Sequence, residues 1–353
     1  MSRTWTADQI GDIARGFQQA AILCAAAELD VFNALAGGAL SAQELAGRIG
    51  GDPRATTILA DALAAMDLLD KSDGRYRLAG GVADALTDAG PHKCLAMTRH
   101  QASLIRRWAQ LPFVVKTGQP AQKTPSTRGA EGDNQSFIEA MDEISHGPAD
   151  GLVASLGELK FTCLLDVGGG SGTYTIAFLR RYGDARGLIF DLPDVIPMAR
   201  ARIAAAGLAD RVALVAGDLF TDPLPMGADL IFISAIIHML SRDECRMLYR
   251  KAFAALPAGG QVLIRDIVMR ADHVQPMGGA IFAVNMLTGT AGGGTYSLDE
   301  IREDLESVGF AGVQQIRSDP WMDNFVIARR PATETQRRRE GKREGRVRRT
   351  GKR

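Results

Sequence analysis

Two observations predict a two-part α/β protein. From residue 161 onward, short runs rich in β-branched and aliphatic residues, CLLDV, GLIFD, RVALVAG, DLIFISAII and QVLIRDIVM, alternate with helical segments. That texture belongs to a parallel sheet covered on both faces. Before residue 110 the chain is instead rich in Ala and Leu at helical spacing. The predicted fold is therefore a doubly wound, mostly parallel α/β sheet preceded by an α-helical winged-helix region. A chain of 353 residues is long enough for two buried cores.

At the N-terminus, Ile10, Ile13, Phe17, Ala20, Ala21 and Cys24 follow the rhythm of one buried helical stripe. Ser41 and Glu44 form a capping-box pattern that starts a helix over SAQELAGRIG, and Gly50 and Gly51 stop it. RATTILADALAAMDLL continues as a second helix, and DKSDGRYRLAG reads as a hairpin turning at Asp73-Gly74. Helix, turn, longer helix and hairpin together spell a winged helix over residues 1–110. Apolar helices such as 13–27, without a partner in sequence, call for a second surface, which favours a dimer.

Winged helices often read DNA, but residues 1–105 hold nine Lys/Arg against twelve Asp/Glu. The helix that would enter a groove offers Arg54 beside Asp61, Asp67 and Asp70. Phosphate contact needs cations there, so a packing or dimerisation module is expected and nucleic acid is not. Residues 111–150 hold a Gly/Pro/Ser/Thr-rich connection, then a helix expected to begin near Ser136 with Phe137, Ile138, Met141 and Ile144 on one side.

The sheet domain is assigned to residues 151–330, with DNFVIARR closing it as part of an antiparallel edge pair. Its first strand runs through LLDVGGGSGTYTIAFL directly into a helix. Glycines at 168, 170 and 172 permit a tight turn and close ligand approach at a helix N-terminus. Thr173 stands where a dinucleotide fingerprint needs its third glycine, and no Gly-Lys-Ser/Thr follows for a P-loop. Asp191 closes the next strand, where a carboxylate can accept both hydroxyls of a ribose. Asp218 closes the third and can accept from an adenine amino group, with Leu192, Leu219 and Phe220 as apolar neighbours of a base.

The stretches LLDVGGGSGTYTIAFL, FDLPDVIPMAR, VAGDLF and FISAIIHMLSRDECRMLYRKAFAALPAGGQVLIRD resemble the successive motifs of class I S-adenosylmethionine-dependent methyltransferases. More narrowly, their order is similar to that of small-molecule O-methyltransferases with an N-terminal winged-helix dimerisation domain. The resemblance spans about residues 10–330. It implies a Rossmann-like methyltransferase sheet, S-adenosyl-L-methionine as cofactor, a homodimer through the N-terminal domain, and methyl transfer to a hydroxyl of a small aromatic or polyketide-like acceptor. On it, Asp166, Gly168, Gly170, Asp191, Leu192, Asp218, Leu219, Phe220 and Ser234 are the expected cofactor-binding residues.

His238 follows the fourth strand on the same edge. An imidazole titrating near neutrality can take a phenolic proton, and the resemblance puts the catalytic base here. Asp266 matches a carboxylate position that orients the imidazole. Met239 and Thr295 stand where many relatives carry further acids. By resemblance, Met141, Asn285 and Met286 line the acceptor pocket, although methionines on an apolar face also serve as core. C- or N-methylation, cofactor-assisted decarboxylation and a non-enzymatic regulator remain open on the same scaffold.

The four cysteines lie in no metal-ligand spacing, so neither a metal nor disulfides are expected. The chain lacks a signal-peptide pattern and a membrane-length apolar run, which points to the cytoplasm and no membrane partner. Residues 331–353 carry ten Lys/Arg and three Glu, a net +7 that leaves −7 for the rest, and read as a disordered basic tail.

Overall fold

A computed structural model of the chain describes residues 4–145 and 149–332. They divide into two compact units: the described residues to Thr117 with Ala121 through Ser145, and Gly118–Pro120 with the residues from Ala149 on. The stretch 111–150, expected to stand apart, thus contributes its helices as far as Ser145 to the first unit. The basic tail lies outside the described residues from Thr333 on.

In the first unit, α1 (Ala7–Arg15) opens on a Thr6–Gln9 capping box and breaks at Gly16 before α2 (Phe17–Glu28). The expected single stripe is corrected here: Cys24, Ala26 and Ala27 are buried, whereas Ile10, Ile13 and Phe17 are more than half exposed. After α3 (Val31–Leu35) and the short β1 (Leu40–Ser41), the Ser41–Glu44 capping box starts α4 (Ala42–Ile49), which ends at left-handed Gly50. Asp52 caps α5 (Pro53–Ala65), and Pro53 occupies its first turn, where no N–H is needed.

The hairpin β2 (Leu69–Ser72) and β3 (Arg75–Leu78) turns at Asp73 and Gly74, both at positive φ (49° and 70°), and β1 pairs antiparallel with β3. Two positive φ values give the turn a twist that suits the strands, which Asp-Gly supplies. Phe32, Leu35, Leu45, Leu63 and Tyr76 form the core. Then come α6 (Val82–Leu86), α7 (Leu95–Trp108), α8 (Leu111–Thr117) and α9 (Gly129–Ser145).

Helix α9 begins seven residues before the expected Ser136, because its packing on α7 outweighs the poor helix propensity of Gly129, Gly132 and Asn134. Ser136 and Ala140 are buried, and the Glu143 carboxylate accepts from the amides of Ala96 and Met97 at the start of α7.

The second unit runs α10 (Ala149–Ser155), β4 (Cys163–Val167), α11 (Thr173–Arg181), β5 (Arg186–Asp191), α12 (Ile196–Ala205), β6 (Val212–Ala216) and β7 (Leu230–Ser234). It continues through a 3-10 turn (Ile237–Met239), α13 (Arg242–Ala255), β8 (Gln261–Asp266), β9 (Val268–Met269) and α14 (Met277–Gly289). Last come β10 (Tyr296–Ser297), α15 (Leu298–Ser307), β11 (Ala311–Arg317) and β12 (Asn324–Arg329).

Seven strands form one sheet in the order β11-β12-β8-β7-β4-β5-β6, and β12 pairs antiparallel with both β8 and β11. The other pairs in this sheet are parallel. Neighbouring residues on each strand feed opposite faces. Leu165, Ile231, Ile233 and Ile264 pack toward α13 and α15, while Leu164, Phe232, Leu263 and Phe325 pack toward α10 and α11. Covered on both sides, the central strands read as continuous apolar runs, and their carboxyl ends share one edge.

Candidate active site

The turn from β4 into α11 is the tightest part of that edge. Gly168, Gly170 and Gly172 have φ of 66°, 55° and 79°, conformations that an L side chain resists. A Cβ at Gly168 would also stand 2.6 Å from Cδ1 of Ile236. Asp166 lies beneath the loop at 2% exposure, its Oδ2 accepting from the Thr175 hydroxyl at 2.7 Å. Burial lifts its pKa to about 7, opposed by the Thr175 bond and reinforced by the charge of Asp191. This geometry gives Asp166 a place under the loop, braced against the first turn of α11.

Asp191 reaches up from the end of β5. Its Oδ2 accepts from Gly170 N and its Oδ1 from Leu192 N, both at 2.7 Å. Burial raises its pKa while these two bonds pull the other way. Asp218, past β6, accepts from Phe220 N at 2.8 Å, and its own amide donates to Asp222. A carboxylate has about four lone-pair sites, so one or two backbone bonds leave each acid with acceptor capacity.

Leu192 (49%) and Phe220 (50%) stand half exposed beside these acids, while Leu219 packs against the core and its carbonyl accepts from Lys251. The residues fit an adenosyl group: two acids for hydroxyl and amino donors, apolar side chains for the base, and a glycine loop with no Cβ in the way at 168. Ser234, last in β7, accepts from Arg265 through its hydroxyl at 3.2 Å.

After β7, Ala235 adopts positive φ (55°) and turns the chain into the 3-10 segment carrying His238. His238 is 7% exposed and Asp266, at the end of β8, 1%. The imidazole Nδ1 lies 2.9 and 3.0 Å from the two Asp266 oxygens, and Oδ1 also accepts from Ile267 N at 2.8 Å. A carboxylate only accepts, so this network assigns a proton to Nδ1. Ser241 and Glu244 form the capping box that starts α13 directly behind the turn.

A glycine loop holds this turn from the other side. Gly294 N donates to the His238 carbonyl at 2.9 Å, and a Cβ on Gly293 would lie 2.5 Å from the same oxygen. Thr295, where the family resemblance would place an acid, is buried and donates to the Gly279 carbonyl. Asn285 and Met286 ride on α14, which packs against the 3-10 turn, and Met286 is buried. Met141 belongs to α9 in the first unit.

Sequence reasoning missed Phe282 and Trp321. The Phe282 ring meets the His238 imidazole edge-on at 5.0 Å between centroids, and Trp321 meets Phe282 at 5.7 Å. The two aromatics are far apart in sequence, and no motif links them. Among the described residues, no cluster of His, Cys, Asp and Glu is arranged for a metal ion, and no helix is long and apolar enough to cross a membrane.

Comparison with known proteins adds independent findings. The O-methyltransferase domain matches residues 104–311 and the O-methyltransferase dimerisation domain residues 12–91. The chain is similar to a 3-hydroxy-5-methyl-1-naphthoate 3-O-methyltransferase of Streptomyces sahachiroi, 34% identical over 90% of this chain and 93% of the relative. It is 30% identical to a tetracenomycin polyketide synthesis 8-O-methyltransferase of Streptomyces glaucescens, over 91% of this chain and 97% of that protein. Among solved structures, the mitomycin 7-O-methyltransferase MmcR superposes with a TM-score of 0.78 at 27% identity, covering 92% and 97% of the two chains.

Proposed function

The chain belongs to the O-methyltransferase family that carries an N-terminal dimerisation domain, and we propose that it methylates a hydroxyl of a small aromatic or polyketide-like acceptor with His238 as the base. S-adenosylmethionine, the family's cofactor, supplies an electrophilic methyl group on a sulfonium. In this reading Asp191 accepts the ribose hydroxyls, Asp218 accepts from the adenine amino group, and Leu192 and Phe220 cover the base.

The single observation that carries the catalytic assignment is the buried His238–Asp266 pair on the edge that also bears Asp191 and Gly170. Asp266 holds the Nδ1 proton, so Nε2 receives the proton of the acceptor hydroxyl as its oxygen becomes the nucleophile. The charge then formed on the imidazole faces a carboxylate at 2.9 Å. The glycine loop and α14 flank the turn and limit its movement, which keeps the base aligned when acceptor and methyl donor are brought together.

The test is His238→Ala. Turnover with a phenolic acceptor should fall by about 10² to 10⁴, while calorimetric affinity for S-adenosylhomocysteine changes less than about twofold. Undiminished turnover would remove His238 from the mechanism. Product NMR identifies the methylated atom and so separates O- from C- or N-methylation. We further read α4, α5 and the β2–β3 hairpin as a winged helix serving self-association, and the chain as a cytoplasmic homodimer; the dimerisation-domain match and the exposed row Ile10, Ile13 and Phe17 support the dimer.

A further inference from the structure

We propose that Phe282 and Trp321 determine acceptor specificity, forming an aromatic wall that selects a fused-ring phenol over a single-ring one. The inference rests on His238 being the point at which the acceptor hydroxyl is held.

The wall starts at the base. Phe282 meets the imidazole at an interplanar angle of 84°, and Trp321 meets Phe282 at 79°, so each ring offers an edge to the next face. Such contacts contribute beyond simple burial. Trp321 also closes down on the first turn of α14, where a Cβ at Gly278 would come within 2.8 Å of its six-membered ring. That glycine leaves room for the indole.

Trp321 is 45% exposed, yet the backbone that presents it is pinned. Its amide donates to Asp319 Oδ1 at 2.8 Å, and its carbonyl accepts from the Asn324 side chain at 2.7 Å. Asn324, 1% exposed, also accepts from Asp319 N and from Gln315 Nε2. Two residues after Trp321, Asp323 receives Arg265 at 2.8 and 2.5 Å, and Arg265 directly precedes Asp266 on β8. The half-exposed indole is therefore held in one place, packed on Phe282 and over Gly278, where an acceptor reaching past His238 would meet it.

Reach then sets the preference. A one-ring phenol whose hydroxyl meets His238 extends only as far as Phe282, whereas each fused ring carries apolar surface on toward Trp321. Recognition at a pre-ordered aromatic wall needs no ordering of the protein on binding.

The experiment is calorimetry of phenol and 2-naphthol binding to the protein loaded with S-adenosylhomocysteine. Trp321→Ala should weaken 2-naphthol about tenfold and phenol less than about twofold, and Trp321→Phe should restore most of the naphthol affinity. Phe282→Leu should weaken both ligands. Equal effects of Trp321→Ala on the two ligands, or none on either, would overturn the proposal. Methyl transfer to 2-naphthol by the unmodified enzyme is read separately: its failure while Trp321-dependent binding persists would count against the hydroxyl and base assignments, and not against the wall.

Discussion

Asp166 is a carboxyl group whose protonation is tied to folding. Its native pKa of about 7 exceeds the value near 3.9 of an unfolded chain. The native state therefore binds this proton more tightly. The resulting stabilisation is complete below about pH 4 and is lost as the pH rises through 7, a contribution of order 4 kcal/mol. Asp166→Asn keeps an acceptor for Thr175 but cannot ionise. Its urea midpoint should fall less than that of the unmodified protein between pH 5 and pH 8; parallel curves would show that the buried carboxyl does not titrate as described. The residue was visible in sequence as the acid before the glycines, but its burial and its proton were not, because both depend on Ile189, Thr175 and the loop closing over it.

At the scale of elements, the site is a set of strand ends held in place by turns. The loop at Gly292–Gly294 shows how narrow the tolerance is. The oxygen facing Gly293 is a backbone carbonyl, which cannot rotate aside as a side chain would. Gly293→Ala should therefore displace the His238 turn and lower turnover by at least about tenfold, the scale expected for a misaligned base, with affinity for S-adenosylhomocysteine unchanged. Equal activity in the variant would show that the turn has slack. The Ser41–Glu44 capping box, the Asp-Gly hairpin and the glycine loop were legible because each is a local rule with fixed spacing. The true start of α9 was not legible, since packing on α7 carries its first two turns despite their glycines.

At the scale of the whole molecule, the N-terminal row of Ile10, Ile13 and Phe17 is an apolar surface that this chain does not itself cover among the described residues. Ile13 and Phe17 are 65% and 63% exposed, on helices within or beside the dimerisation match. If a second copy covers them, Ile13→Asp with Phe17→Asp should raise the dimer dissociation constant roughly 100-fold or more, since a large apolar side chain contributes about 1.5–3 kcal/mol when buried. Sedimentation velocity across a dilution series reads this directly. An unchanged association would move the interface elsewhere.

The sequence by itself determined the alternation of strands and helices, the glycine turn and the acids that close β5 and β6, because each is written in periodicity or short-range spacing; His238 was singled out by the family resemblance. The Asp266–His238 pairing was expected from the family resemblance, but tertiary structure alone decided its distances across 28 residues of chain, that Asp166 is sealed beneath its loop, and that Phe282 and Trp321 meet beside His238. Periodicity marks which side of an element is apolar; which partner covers that side, and which polar group ends beside which, follows only once the strands are ordered in the sheet.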